Sequence, residues 1–235
     1  MNIILFKENE TFLDFRDERA EHIRKVLHLS VGDAFKAGMI NGQQGMARIE
    51  EMSKEGIRLS FDFQEEGSAL YPLTMIIAQV RPICMRRILR EAVSLGAERL
   101  ILPVSDLGEK SYLNSSLYTT DEYERILIDG AMQAGFTGVS ECVLANGIKE
   151  AIDMLPKGER LLLDNVVGAE PLSQIDLTGK SVILAIGPER GWSARERNVF
   201  IESGFRPVLL GNRILRTETC AVAGAALALS RMGHI

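Results

Sequence analysis

From residue 73 onward the chain alternates short, uninterrupted apolar runs with amphipathic stretches, and this pattern restricts the fold more than any other feature of its 235 residues. It predicts strands over residues 73–79, 100–104, 161–164, 182–186 and 208–210, with helices over 84–95, 120–134, 194–203 and 218–231. Strands without polar alternation are buried on both faces, so the pattern implies a parallel sheet covered by helices. Ligands of such sheets bind outside the carboxyl ends of the strands. Attention therefore falls on the residues that follow Asp164, Ile186 and Leu210.

The first 70 residues follow a different rule. Short strands are predicted over residues 3–6, 33–37, 45–49 and 57–63, with turns at Asn41-Gly42 and Gly56 and one helix over 20–29. That pattern predicts a small β-rich domain, for which a barrel is one form of closure. Its boundary falls within residues 65–72, where acidic, Gly and Ser residues end one apolar pattern and Pro72 opens the next.

With 27 Lys and Arg against 32 Asp and Glu the chain is mildly acidic. A nucleic-acid partner would have to be met by a local basic patch, because counterion release depends on where the cations sit. Cys84, Cys142 and Cys220 are odd in number and far apart, which argues against a disulfide framework and a zinc site. His22, His28 and His234 form no ligand cluster. No apolar run approaches the ~20 residues of a membrane span. The N-terminus lacks a basic, apolar leader, so a cytoplasmic location is expected.

After the strand at 182–186 comes Gly187-Pro188-Glu189-Arg190-Gly191, and Ser193 with Glu196 forms the S-x-x-E capping box that starts a helix. Gly204 stops that helix. A second strand leads into Gly211-Asn212-Arg213-Ile214-Leu215-Arg216-Thr217-Glu218-Thr219 and a helix of small residues, able to lie close to its neighbours. Either loop alone reads as an ordinary strand-to-helix turn. Together they place Arg and Glu in otherwise apolar surroundings, as a ligand site does. Neither is a dinucleotide fingerprint or a P-loop.

These two segments resemble the paired C-terminal motifs of the RsmE family of 16S rRNA uracil-N3 methyltransferases, in the SPOUT superfamily. His22-Ile23-Arg24-Lys25-Val26-Leu27, closed by Gly32-Asp33, resembles the family's opening helix. Further likeness at Gln79-Val80, Leu95-Gly96 and Gln133 carries the resemblance along essentially the whole chain. It implies an α/β architecture: a PUA-like β-barrel RNA-binding domain over residues 1–70, then a SPOUT methyltransferase domain over 71–235 with a C-terminal trefoil knot holding S-adenosylmethionine. It also implies a homodimer whose interface completes the cofactor site, 16S rRNA of the small ribosomal subunit as partner, and neither metal nor membrane. Carried onto this chain, the cofactor pocket uses Ile186, Gly187, Pro188, Glu189 and Gly191, then Leu210, Gly211, Ile214, Leu215, Arg216 and Thr219.

Methyl transfer to uracil N3 requires loss of the N3 proton and stabilisation of the charge left on the ring. Within the resemblance Arg216 is the candidate cation, with permanent charge and paired donors. Glu218 would accept the proton or orient Arg216, although a carboxylate there equally complements a helix N-terminus. Arg213 is the third catalytic candidate. For RNA binding the candidates are His22, Arg24 and Lys25 in the first domain and Arg81, Arg86, Arg87 and Arg90 in the second, with Arg86 and Arg90 on one helix face. A solvated helix face is the alternative for the arginines, and a core or capping histidine for His22.

The chain departs from the family pattern in four places. Arg190 stands where the family usually has a second glycine, Glu91 and Ser94 where it commonly has Lys and Glu, His28 where it often has Arg, and residues 134–140 lack its usual Arg and Pro. Two other functions fit the same residues: a diverged relative acting on another RNA, and a non-catalytic RNA-binding or ribosome-assembly protein that keeps the fold.

Overall fold

The computed structural model describes residues 1–120, 122–167 and 170–235. The chain divides into two compact units, Met1–Ala69 with Ile128–Val139, and Leu70–Leu127 with Ser140–Ile235. The sequence reading kept everything after residue 70 together. Residues 128–139 instead join the first unit, where the Met132 carbonyl accepts the N–H groups of Asn2 and Ile3, and Asn41 Oδ1 accepts the N–H of Val139 at 2.7 Å.

In the first unit, β1 (Ile4–Phe6), β2 (Phe12–Asp14), β3 (Ala34–Met39), β4 (Gln44–Met52) and β5 (Gly56–Glu65) form a mixed sheet in the order β1-β3-β4-β5-β2. Only the β1–β3 pair is parallel. The inward faces bury Phe6, Leu13, Ile49 and Ile57, with Ile23 of helix α1 (Glu18–Lys25). Asp17 caps α1 by accepting the N–H of Arg19. The helix ends at Lys25 with Val26 as its C-cap, and the left-handed backbone at His28, φ +54°, bars it from reaching its predicted end at residue 29. Strand β2 was not predicted: only Leu13 of its three residues is buried, too short for an alternation to show.

The second unit holds a parallel sheet of β6 (Tyr71–Ile77), β7 (Ala97–Pro103), β8 (Glu141–Ala145), β9 (Glu159–Leu163), β10 (Glu170–Pro171), β11 (Val182–Ile186) and β12 (Arg206–Leu209), in the order β10-β12-β9-β11-β6-β7-β8. All its ladders are parallel. β11 is buried at every position, which is why its sequence shows no alternation. The predicted strands in this unit all form. The unpredicted β8 and β10 are the edges, where burial is partial and the apolar signal weak.

Helices α2 (Pro82–Ser94), α3 (Ser116–Thr119), α4 (Glu122–Ala134), α5 (Ile148–Asp153), α6 (Ala194–Glu202) and α7 (Thr217–Met232) complete the chain. The small residues of α7 have a direct purpose. A Cβ on Gly224 would lie 2.7 Å from Leu163 Cδ1 and 3.2 Å from Leu184 Cδ2, so glycine lets α7 settle onto β9 and β11. Elsewhere in the core, Trp192 packs tilted on Phe200 and Phe200 edge-on to Phe205, with ring centroids 4.9 Å apart at each step. Truncating Phe200, fully buried, would cost about 3–5 kcal/mol.

No helix among the described residues is long and apolar enough to cross a membrane. The three cysteines are free, and no group of metal-ligating side chains occurs among the described residues.

Candidate functional site

Strands β12, β9 and β11 are neighbours and run parallel, so the loops leaving their carboxyl ends converge. Residues 164–166, 187–191 and 210–215 enclose a cleft of about 350 Å³. Its place at the carboxyl edge of an open parallel sheet is where such folds bind ligands.

The middle loop is shaped by its glycines. A Cβ on Gly187 would lie 3.2 Å from the backbone nitrogen of Trp192, so a side chain there would press on the loop's own backbone as it folds back. Gly191 donates its N–H to the Pro188 carbonyl at 2.8 Å and takes the left-handed φ of +69°. Arg190 is not among the residues with positive φ. The loop's left-handed residue is therefore Gly191, and arginine stands at 190 without strain.

Beyond the loop, Ser193 and Glu196 form the predicted capping box. Glu196 is completely buried and accepts two backbone N–H groups, from Ser193 and from Asp106, each at 2.8 Å. Asp106 in turn accepts from Ser193 Oγ at 2.6 Å and from Arg195 at 2.5 and 3.0 Å. Those bonds hold its carboxyl below the usual range. The segment after β7 is thus fastened to the start of α6. On the cleft's other side, Thr217 Oγ1 donates to the Gly187 carbonyl at 3.2 Å, joining α7 to the middle loop.

Of the pocket residues expected from sequence, Ile186, Gly187, Pro188, Glu189, Gly191, Leu210, Gly211, Ile214 and Leu215 line the cleft. Arg216 and Thr219 do not. Arg213 lines it, whereas Glu218 and Arg216 belong to the adjacent start of α7, Arg216 being its N-cap residue. Burial, then the carboxylates of Glu218 and Glu189, push the Cys84 thiol in the first turn of α2 upward. Glu189 touches that turn directly, through a 3.2 Å hydrogen bond from the N–H of Arg81.

The cleft also holds residues that sequence reasoning passed over: Asp164, Trp192, Arg197, Thr217 and Cys220. Asp164 closes β9 and accepts the N–H groups of Val166 at 2.7 Å and Val167 at 3.1 Å, while Arg197 Nε donates to its other oxygen at 2.7 Å. The Trp192 indole is buried and its Nε1–H has no partner among the described residues. Burial pushes the Cys220 thiol up to about 11. Asp164 was signalled by its place at a strand end; Arg197 lies one turn into a helix and carried no such mark.

The basic residues proposed for RNA are variously engaged. Arg86 grips Glu122 through Nε and Nη2 at 2.5 and 3.2 Å. Arg87 and Arg90 are exposed, and so is Arg81, whose Nε reaches Tyr112 Oη at 3.4 Å. In the first unit, Arg24 lies 3.6 Å above the exposed Phe15 ring and donates to the Phe15 carbonyl, and Lys25 pairs with Glu21 at 2.7 Å. Burial, with the N-terminal ammonium adding to it, lowers the pKa of His22, whose Nε2 has no partner among the described residues.

Comparison with known proteins fits this geometry. A family model described as an RNA methyltransferase domain matches residues 67–229. The ribosomal RNA small subunit methyltransferase E of Treponema pallidum (strain Nichols) is 40% identical, over 98% of this chain and 91% of that protein. Ribosomal RNA small subunit methyltransferase E 1 of Borreliella burgdorferi is 30% identical over 99% of both chains. Among solved structures, a ribosomal RNA small subunit methyltransferase E from Neisseria gonorrhoeae, bound to S-adenosyl methionine, shares the fold with a TM-score of 0.80 and 23% identity, over 98% of this chain and 97% of that one.

Proposed function

The chain belongs to the RNA methyltransferase family, within the ribosomal RNA small subunit methyltransferase E group, and from that membership we propose that it methylates N3 of one uracil in 16S rRNA. It is an rRNA methyltransferase that uses S-adenosylmethionine. The observation that carries the reading is the convergence of both glycine loops on one cleft, in a chain 40% identical to such an enzyme along nearly its whole length.

The residues present fit the cofactor. Ile186, Leu210 and Leu215 offer apolar surface to a purine, Gly211 has open space where a side chain would stand, and the orphaned Trp192 N–H is a donor left in the wall. When bound, S-adenosylmethionine supplies an electrophilic methyl group on sulfur. The protein's part is to place the base and manage its proton. Arg216, at the head of α7, stabilises the charge left on the ring, and Arg213 assists from the cleft rim. Glu218 accepts the N3 proton or orients Arg216. Much of the acceleration comes from alignment of the two reactants.

The finer architecture belongs to the same proposal. The first unit is read as a PUA-like RNA-binding barrel, and the C-terminal part of the second as a trefoil knot. From β9 the chain runs out to the edge strand β10, returns past β9 to β11, and goes out again to β12 between β9 and β10; this repeated doubling back supports the knot. A homodimer is supported by apolar side chains left in solvent beside the site, Ile83, Ile214 and Leu215. A cytoplasmic location follows from the substrate.

The test is to incubate the purified protein with labelled S-adenosylmethionine and small subunits from cells lacking the matching enzyme, then map the product by nuclease digestion and mass spectrometry. N3-methyluridine at a single site is the expected result. Incorporation into another RNA alone would overturn the substrate, and absence of incorporation into any RNA would overturn the activity.

A further inference from the structure

We propose that Arg197 anchors the α-carboxylate of the amino-acid tail of S-adenosylmethionine; the inference rests on the reading that the cleft binds this molecule. At neutral pH the ligand carries a sulfonium, an ammonium and a single carboxylate. Its cleft is nevertheless lined by three arginines, Arg190, Arg197 and Arg213, against two acids, Asp164 and Glu189. Guanidinium groups beside a cationic ligand are repulsive unless one of them meets the carboxylate.

Arg197 is the one built for that contact. Arg190 and Arg213 are exposed and hold no ion pair among the described residues. Arg197 is held: its side chain is 15% exposed and its Nε donates to Asp164 Oδ2 at 2.7 Å, on a carboxylate that is itself 2% exposed. Asp164 is fixed by the backbone N–H groups of Val166 and Val167. With Nε occupied, the Nη groups remain. Nη2 lies 3.5 Å from where a Cβ on Gly191 would stand, so it rests against the middle loop of the cleft. A guanidinium fixed on one edge and free on the other is a preorganised fork for a carboxylate, with its ordering cost met before binding. Asp164 offsets the charge of Arg197 while the cleft is empty and fixes its direction.

The test compares two ligands by calorimetry on the full chain. S-adenosylhomocysteine keeps the amino-acid tail, and methylthioadenosine is the same thionucleoside without it. Arg197→Met should weaken S-adenosylhomocysteine about 10- to 150-fold, the range of a charge-assisted hydrogen bond, and leave methylthioadenosine within about threefold. Arg197→Lys should recover part of the loss. Because Arg197→Met strands the buried Asp164 carboxylate, the double variant D164N/R197M is measured beside it, with the same selective loss expected. Equal weakening of both ligands would reduce Arg197 to a wall residue and overturn the proposal, as would unchanged affinity for S-adenosylhomocysteine. Failure of the unaltered protein to bind either ligand would overturn the cofactor reading itself.

Discussion

Glu189 accepts the backbone N–H of Arg81 at 3.2 Å, so the loop that lines the cleft also caps α2. That helix has no side-chain cap of its own and no acidic residue in its first turn. A carboxylate from elsewhere in the chain fills the vacancy at its positive end. Glu189→Ala should cost about 0.5–2 kcal/mol, and the melting temperature should fall by a few degrees in a chain of this size. Glu189→Gln should recover part of it. An unchanged melt for Glu189→Ala would show that the contact contributes no cap.

Glu196 is more critical. Its buried carboxylate satisfies the N–H groups of Ser193 and Asp106 at once. Glu196→Ala is expected to destabilise the protein by about 1.5–3 kcal/mol for each charge-assisted bond lost. Cofactor affinity should fall with it, since the middle loop leads directly into this cap. Calorimetry and urea unfolding on the same variant test both; full stability in urea would contradict the double anchorage.

How much of this was legible beforehand depends on where the residues lie. Strands such as β11 are buried at every position and so announce themselves as unbroken apolar runs. The Ser193–Glu196 cap was legible because it is local, four residues read together. Asp164 with Arg197 and Glu189 with Arg81 were not, because their partners lie 33 and 108 residues apart. No period or spacing encodes a contact that only the strand order creates. The same holds for residues 128–139, which read as the end of a helix and the loop after it and gave no sign of belonging to the first unit.

The arginines of α2 divide by engagement. Arg86 is already neutralised by Glu122, which Ser116 Oγ also steadies at 2.6 Å, whereas Arg87 and Arg90 are exposed. Replacing Arg87 or Arg90 by Ala should lower the slope of log affinity against log salt by about 0.7–0.9 each, and Arg86→Ala by much less. Filter binding of 16S rRNA fragments across a salt series measures it. Equal slopes for Arg87→Ala, Arg90→Ala and the parent would remove this helix face from the RNA interface.

In the first unit, Arg19 bridges Glu10 at 2.6 Å and Asp17 at 2.8 Å. Burial pushes both carboxyls up, but hydrogen bonds from Arg19 and from backbone N–H groups outweigh it and hold Glu10 below its ordinary 4.5 and Asp17 below 3.8. A carboxyl depressed on folding stabilises above its unfolded value and loses that contribution as pH falls through the folded one. Stability should therefore be level at neutral pH and decline as pH drops below about 4.5 and on past 3.8. Urea midpoints between pH 6 and 3 should show a shallower decline in Arg19→Met than in the parent; parallel curves would exclude the network as the cause.

Arg216 separates catalysis from binding. It precedes α7 as the N-cap residue, is exposed and does not line the cleft, while Thr217, next in the chain, holds the middle loop through Gly187. A side chain outside the cleft contributes little to holding the cofactor, yet one at its edge can meet a base presented there. Arg216→Ala should thus leave S-adenosylhomocysteine affinity within about twofold and lower methyl transfer by about 10²–10³, the cost of removing one stabilising donor from a developing oxyanion. Thr217→Val breaks the bond to Gly187 and should show the reverse balance, weaker cofactor binding with a smaller loss of turnover at saturation. If Arg216→Ala instead abolished cofactor binding, Arg216 would belong to the pocket, and the cation that stabilises the uracil would have to be sought at Arg213.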